Sequence, residues 1–265
     1  MGNTVPDNIR FDDGAAYERM MGTWSRITGS AFLDWVQPPR GLRWLDVGCG
    51  NGAFTQLLVE RCAPAAVTGM DPSEAQLAYA RSRAGTQSAT YLPGDAMQLP
   101  LADAQFDAAV MALVLFFVPD PLRGAAEMAR VVREGGLLCA YLWDVPGGGL
   151  PHELLRDEMR ALGMPVASPP SAEVSELSRL RAVTEAAGWR QVETTTLDAQ
   201  RTFRDFDDAW ETSILGSTIR SQVENMPAAD REELKARVRA RCRPDAQGRV
   251  TFRARANAVK GRVAR

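Results

Sequence analysis

The chain of 265 residues contains one histidine, His152, which excludes chemistry that needs two or three imidazoles. Four cysteines, Cys49, Cys62, Cys139 and Cys242, are scattered without CxxC spacing and indicate neither a zinc site nor a disulfide framework. No metal is therefore expected. Long hydrophobic runs are also missing: the longest apolar stretch, residues 108–118, falls well short of the roughly 20 residues that span a bilayer. The opening Met1-Gly2-Asn3-Thr4-Val5-Pro6 has no apolar signal core, and Pro6 stands where a myristoylation motif needs Ser or Thr. The expectation is a cytoplasmic protein with no membrane partner. Excess charge is absent too, since 31 Lys and Arg against 33 Asp and Glu leave a net of −2, so the total calls for no nucleic acid.

What is present is an ordinary globular composition, 45% hydrophobic and 24% charged, far from the disordered corner. The charge is unevenly spread. Residues 231–265 carry twelve basic and three acidic side chains, a net of +9, which leaves 19 basic and 30 acidic residues elsewhere, a net of −11. That basic tail lacks the interleaved aromatics of a base-stacking surface and reads as a solvated face balancing an acidic body.

From Arg43 onward short β-rich runs alternate with helical patterns, the signature of a doubly wound α/β sheet. Leu42-Arg43-Trp44-Leu45-Asp46-Val47 reads as a first buried strand, residues 66–70 as a second, Tyr91-Leu92 as a short third and residues 106–111 as an apolar fourth. Ser73 with Gln76 forms a capping box, and Asp120-Pro121 opens another helix that Gly135-Gly136 should stop. Residues 137–143 form a fifth strand, and residues 146–149 and 165–171 bracket a loop excursion. A helix over 176–187 and a strand over 192–197 resume the alternation. A helical insert over 206–242, with Asp230 and Glu233 as a second capping box, precedes a closing strand over 250–259.

Asp46-Val47-Gly48-Cys49-Gly50-Asn51-Gly52 lies where the first strand turns into the first helix, the place at which open α/β sheets bind nucleotides. Gly48, Gly50 and Ala53 also satisfy a loose GxGxxG/A pattern, so this loop alone does not separate NAD from other adenosine ligands.

With Leu45 in front of it, the loop resembles that of the class I S-adenosylmethionine-dependent methyltransferases, and further features follow in family order. Asp71, before Pro72 at the end of the second strand, matches the acid that holds both ribose hydroxyls. Gly94-Asp95-Ala96 matches the adenine clamp, with Met97 beside it. Phe106-Asp107 opens the fourth strand, and residues 130–136 resemble the family's R-v-L-k-P-G-G helix end with Glu134 in place of proline. Leu113 falls where the backbone meets the methionyl part. Residues 17–26 resemble a leader helix that closes over the cofactor, which assigns Tyr17, Trp24 and Arg26 to the methionyl end. The resemblance implies a Rossmann-like seven-stranded sheet, mostly parallel with an antiparallel last strand, in a single domain over 1–265. Its parts would be cap helices over 1–40, a core sheet over 41–205, a helical lid insert over 206–245 and the final strand over 246–265.

The implied reaction is methyl transfer from S-adenosylmethionine by in-line displacement, which runs largely on alignment and water exclusion and has no obligatory base. Strand four ends in Ala112-Leu113-Val114-Leu115-Phe116-Phe117, not in the Asn/Asp-Pro-Pro-Tyr/Phe motif of amino-methylating DNA and protein enzymes. The acceptor is thus expected to be small and largely apolar, methylated on O, C or N. Phe116, Phe117, Trp143 and Trp210 are the candidate substrate wall, and His152 and Asp144 the candidate bases. A monomer or homodimer is expected. Two other readings stay open: a non-catalytic methyltransferase-like cofactor-binding protein, and an NAD-dependent oxidoreductase, for which the Ser/Tyr/Lys cluster is missing.

Overall fold

The computed structural model describes residues 18–215 and 217–264. A π-helical turn, Glu18–Gly22, leads into α1, Thr23–Val36. Trp24, Thr28, Phe32, Leu33 and Val36 recur at helical spacing and are buried. Gly29 lets α1 approach the next helix closely, since a Cβ there would stand 2.8 Å from Leu57. β1, Arg43–Val47, runs through the glycine loop into α2, Ala53–Cys62. Then follow β2, Ala66–Asp71, α3, Glu74–Ser82, β3, Ala89–Pro93, and β4, Phe106–Ala112. The second half holds α4, Pro121–Val131, β5, Val132–Trp143, α5, Glu153–Ala161, α6, Leu177–Ala186, and β6, Trp189–Phe203. Three helices, α7, Phe206–Ser213, α8, Ser217–Glu224, and α9, Ala228–Arg241, separate β6 from β7, Val250–Val263.

The seven strands lie in the order β3-β2-β1-β4-β5-β7-β6. β1 pairs in parallel with β2 and β4, β2 with β3 and β4 with β5, whereas β7 is antiparallel to both its neighbours. The chain thus winds outward from β1 in one direction and then from β4 in the other, and the crevice at that reversal lies at the carboxyl ends of β1 and β4. β4 is fully apolar where it crosses the middle of the sheet, with Ala108, Ala109, Val110 and Met111 all inaccessible. β5 leaves β7 at Trp143↔Ala256, but β6 and β7 continue as a pair from Asp198↔Arg255 to Phe203↔Val250. This overhang turns Ala199, Phe203, Phe252 and Ala254 inward.

The doubly wound sheet with one antiparallel strand is the architecture the sequence implied, and several local expectations need correction. α4 ends at Val131, not at the glycines, because the chain passes directly into extended backbone at Val132, which pairs with Phe106. Gly135, at φ +70°, sits in the irregular stretch before Leu137 pairs with Ala108. The stretch after β5 read as loop contains α5, whose buried face holds Arg156 and Glu158 beside Leu155 and Met159. Asp230 does not cap α9: Pro227 precedes its first residue, and Asp230 lies within the first turn. β6 and β7 both extend beyond their expected ends. The caps at Ser73 and Asp120 form as expected, accepting from the amides of Gln76 at 3.4 Å and Arg123 at 3.1 Å.

The basic tail answers the acidic body directly. Arg237 and Arg241 of α9 hold Glu158 of α5 at 2.9 and 3.0 Å, and Lys235 and Arg239 hold Asp207 of α7. No helix among the described residues is long and apolar enough to cross a membrane. No group of three or more His, Cys, Asp or Glu among the described residues is arranged to hold a metal.

Candidate functional site

The glycine loop crosses the carboxyl edge of the sheet between β1 and α2, and its three glycines are required for different reasons. Gly48, at φ +74°, has Val114 against it, 2.6 Å from where a Cβ would stand. Gly52, at φ +79°, would carry its Cβ 2.9 Å from the Tyr91 hydroxyl. Gly50, at φ +51°, faces open space, with nothing nearer than 3.9 Å. Packing therefore selects glycine at 48 and 52, and the open side of the loop lies at Gly50.

Two carboxylates support this loop. Asp46, wholly inaccessible at the end of β1, accepts the Thr55 hydroxyl on Oδ2 at 2.7 Å, while Oδ1 is buried without a partner. Burial pushes its carboxyl up to about 7; the Thr55 bond opposes this, and the neighbouring Asp71 adds to it. Asp71, half-buried at the end of β2, accepts the Gly50 amide on Oδ2 and the Ser73 amide on Oδ1, each at 2.9 Å. Burial raises its carboxyl as well, against the lowering effect of those two bonds. Pro72 sits between the anchored carboxylate and the Ser73 cap.

Asp95, exposed beyond β3, accepts the Met97 amide at 2.8 Å in a tight turn that leaves Ala96 and Met97 packed against the core. Leu113, just past β4, takes the left-handed conformation at φ +63° and donates its amide to the Tyr141 carbonyl at 2.8 Å. A branched side chain held there is a local strain fixed by its surroundings. Gly48, Gly50, Gly52, Asp71, Asp95 and Leu113 thus all lie along the carboxyl edge of β1 to β4.

On the leader side, Trp24 is buried and meets Trp143 edge to face, with ring centroids 6.5 Å apart. Arg26 does not join it. Two positions along the helix it points roughly 200° away, and its guanidinium lies on the outer surface in an ion pair with Glu60 at 2.8 Å. Tyr17 lies outside the described residues. Sequence reasoning missed Glu18, whose carboxylate forms an ion pair with Arg83 and accepts Asn51 Nδ2 at 3.0 Å. Arg83 also donates to the Asn51 carbonyl at 2.9 Å, so the leader turn is fastened to the glycine loop. Its other side is held by Arg201 of β6, which donates to the Met20 carbonyl at 3.2 Å.

On the far side of the edge, Phe116 is buried and packs edge to face on Phe117 with centroids 4.5 Å apart. The Phe116 carbonyl accepts the Ser171 amide at 3.0 Å, which ties the 164–171 stretch to the end of β4. Trp143 is buried with its indole N–H unpartnered. Trp210 stacks on Phe206 within α7, at 6.4 Å and 27°, with Arg239 covering the Phe206 ring, a helix-anchoring arrangement. Asp144 Oδ1 accepts the Gly147 amide at 3.1 Å and shapes the turn after β5. His152 precedes α5 with Nδ1 sealed from solvent and unpartnered; burial, then the Arg156 charge, push it down to about 3. Its imidazole is therefore neutral near pH 7 and a weak base.

Comparison with known proteins agrees with this fold. The family model described as "Methyltransferase domain" matches residues 45–140, from within β1 to within β5. A 2-methyl-6-phytyl-1,4-hydroquinone methyltransferase from Oryza sativa is 42% identical over 100 residues, covering 38% of this chain and 29% of that protein. The ubiquinone/menaquinone biosynthesis C-methyltransferase of Paracoccus denitrificans is 38% identical over 126 residues, covering 45% and 49%. The chain spans about half the length, or less, of these curated relatives. Among solved structures, a Haemonchus contortus phosphoethanolamine N-methyltransferase superposes with a TM-score of 0.58 at 18% identity, covering 96% of this chain and 58% of that one. The YcgJ protein of Bacillus subtilis gives 0.58 at 16%, covering 90% and 98%. The sheet order and the glycine loop define a doubly wound α/β fold of the kind that binds nucleotides at this edge. Residues 45–140 match a methyltransferase domain, and the relatives similar to that part of the chain are themselves named methyltransferases.

Proposed function

We propose that this protein transfers a methyl group from S-adenosylmethionine to a small, largely apolar acceptor. The observation that carries this reading is the loop at Gly50, open on its outer side and backed by the anchored carboxylate of Asp71.

The residues present fit the cofactor. Asp46 Oδ1, buried and unpartnered, is a polar atom of the kind that a ligand or ordered water satisfies. The open face at Gly50 leaves room for a close backbone approach. Asp71, with two oxygens held in place by amides, would accept from the ribose diol, with Pro72 beside it. Asp95, Ala96 and Met97 would border the adenine, and Gly48, Gly50, Gly52, Leu113 and Trp24 the methionyl end. S-adenosylmethionine brings an activated methyl group on a sulfonium. The chain's own residues bind, align the acceptor for in-line displacement and exclude water. Trp24, Trp143, Phe116 and Phe117 supply the apolar surface for that exclusion, beneath α7 to α9 as a lid over residues 206–245.

His152 and Asp144 carry no obligatory proton transfer in this reading: one is a weak base and the other is engaged in its own turn. The names of several relatives specify hydroquinone or menaquinone acceptors, and one specifies a C-methyltransferase, which supports an apolar ring-bearing acceptor methylated at carbon, with oxygen and nitrogen as the other targets. Titration with S-adenosylhomocysteine, followed by turnover on a panel of apolar acceptors with labelled cofactor, tests it. Saturable binding and methylated product are expected; absence of cofactor binding contradicts it.

A further inference from the structure

The β6–β7 pair runs on past the end of β5, from Asp198↔Arg255 to Phe203↔Val250, and so projects beyond the carboxyl edge of the sheet. Arg201, opposite Phe252 on this overhang, is half-buried and shares a face of β6 with the buried Ala199 and Phe203. Its guanidinium lies 4.5 Å from the centre of the Phe203 ring, which steadies it. From there Nη1 donates to two carbonyls of the leader turn, those of Arg19 at 3.3 Å and Met20 at 3.2 Å. Among the described residues no carboxylate forms an ion pair with this cation; burial disfavours its charge, and the more distant Asp208 favours it. Lifting the leader would therefore leave a half-buried charge without its hydrogen-bond acceptors.

The same turn is fastened to the glycine loop on its other side. Glu18 pairs with Arg83 and accepts Asn51 Nδ2. Gly22 gives that carboxylate room to fold back, since a Cβ there would stand 2.5 Å from the Glu18 carboxyl carbon. Glu18, Arg19 and Met20 are consecutive, so the contacts from the glycine loop and from the overhang bear on one π-helical turn. Such turns are rare and often mark functional sites. Met21 of the turn is buried, and Trp24, two residues beyond it, lies against Trp143 at the end of β5. The leader turn is thus a strap tied to the glycine loop at one side and to β6 at the other.

We infer that Arg201 is a positioning residue for the cofactor: it acts through the leader turn, holding that turn down over the glycine loop and so slowing release of the bound nucleoside. It does this from a strand at the far end of the sheet from β1 to β3, without contact with the glycine loop. The inference rests on the methyltransferase reading, and the two fail in different arms of the experiment.

Stopped-flow release of S-adenosylhomocysteine and hydrogen exchange with and without it, read by mass spectrometry on the full chain, test the assignment. Arg201→Met should release the nucleoside about fivefold faster than the wild type. Exchange in residues 18–24 should quicken by a similar factor, with residues 250–256 unchanged, a pattern that separates an unfastened leader from a loosened overhang. Arg201→Lys should return both readings to within about twofold of the wild type, because a single nitrogen serves both carbonyls. If Arg201→Met does not fold, Arg201→Thr takes its place with the same expectations, being suited to a strand and too short to reach the leader. Unchanged release, unchanged exchange in 18–24, equal quickening in 250–256, or failure of lysine to restore the readings overturns the assignment. Failure of the wild type to bind S-adenosylhomocysteine overturns the methyltransferase reading instead, and exchange in the ligand-free protein then decides whether Arg201 holds the turn.

Discussion

The Asp71 carboxylate accepts the Gly50 amide at 2.9 Å, joining the end of β2 to the one glycine of the loop that faces open space. Its second oxygen holds the Ser73 amide, so the group is oriented before any ligand arrives. A carboxylate fixed in this way loses little freedom on accepting a diol, which favours binding.

The three glycines should respond differently to alanine. Gly50→Ala meets no neighbour, so its cost to the fold should be limited to the left-handed backbone, about 1–2 kcal/mol, while S-adenosylhomocysteine binding falls at least tenfold. Gly48→Ala adds a clash with Val114 and should lower the melting temperature more. Thermal melts paired with calorimetry separate the two.

Asp46 makes the ligand-free protein sensitive to alkali. Its carboxyl is raised from 3.8 to about 7 in the fold, so the protonated form is the one the fold favours. That contribution is complete below pH 3.8 and is lost as pH rises through about 7. The loss is on the order of 4 kcal/mol. Asp46→Asn should therefore gain stability relative to the wild type between pH 5 and pH 8, read by chemical denaturation at several pH values. A constant difference across that range would contradict the buried, unpartnered state of the carboxyl.

Glu18 fastens the leader turn through Asn51 and Arg83 over the glycine loop. Glu18→Gln removes the charge from this partly buried cluster. It should speed dissociation of S-adenosylhomocysteine about fivefold, equivalent to about 1 kcal/mol. Stopped-flow displacement measures the rate, and the wild-type rate should rise with salt while that of the variant should not.

His152 should be dispensable. With its conjugate acid pushed down to about 3, the ring stays neutral from pH 8 to pH 5, and no step in the rate profile near 6.5 should belong to it. His152→Gln is expected to keep turnover within about twofold, checked by pH-rate profiles of both proteins.

Much of the framework around the candidate site was legible because its determinants are local. A glycine loop after a buried strand, an acid ending the next strand, and Ser or Asp before an apolar run each show themselves within a few residues. Arg26 was misread because helix phase, not spacing from Trp24, decides which way it points. Glu18, Asn51 and Arg83 left no signal, since residues far apart in sequence meet only once the sheet has folded. α5 was hidden by the Pro- and Gly-rich stretches on either side and by a buried face that includes Arg156 and Glu158. Hydrophobic periodicity registers that combination as loop.

The most direct measurement is calorimetric titration of S-adenosylhomocysteine into the wild type and Asp71→Ala. Saturable binding of one equivalent per chain by the wild type, weakened at least tenfold in a variant that remains folded, is the expected result. No binding by the wild type, or equal affinity in the two proteins, would contradict a cofactor site built on the glycine loop and Asp71.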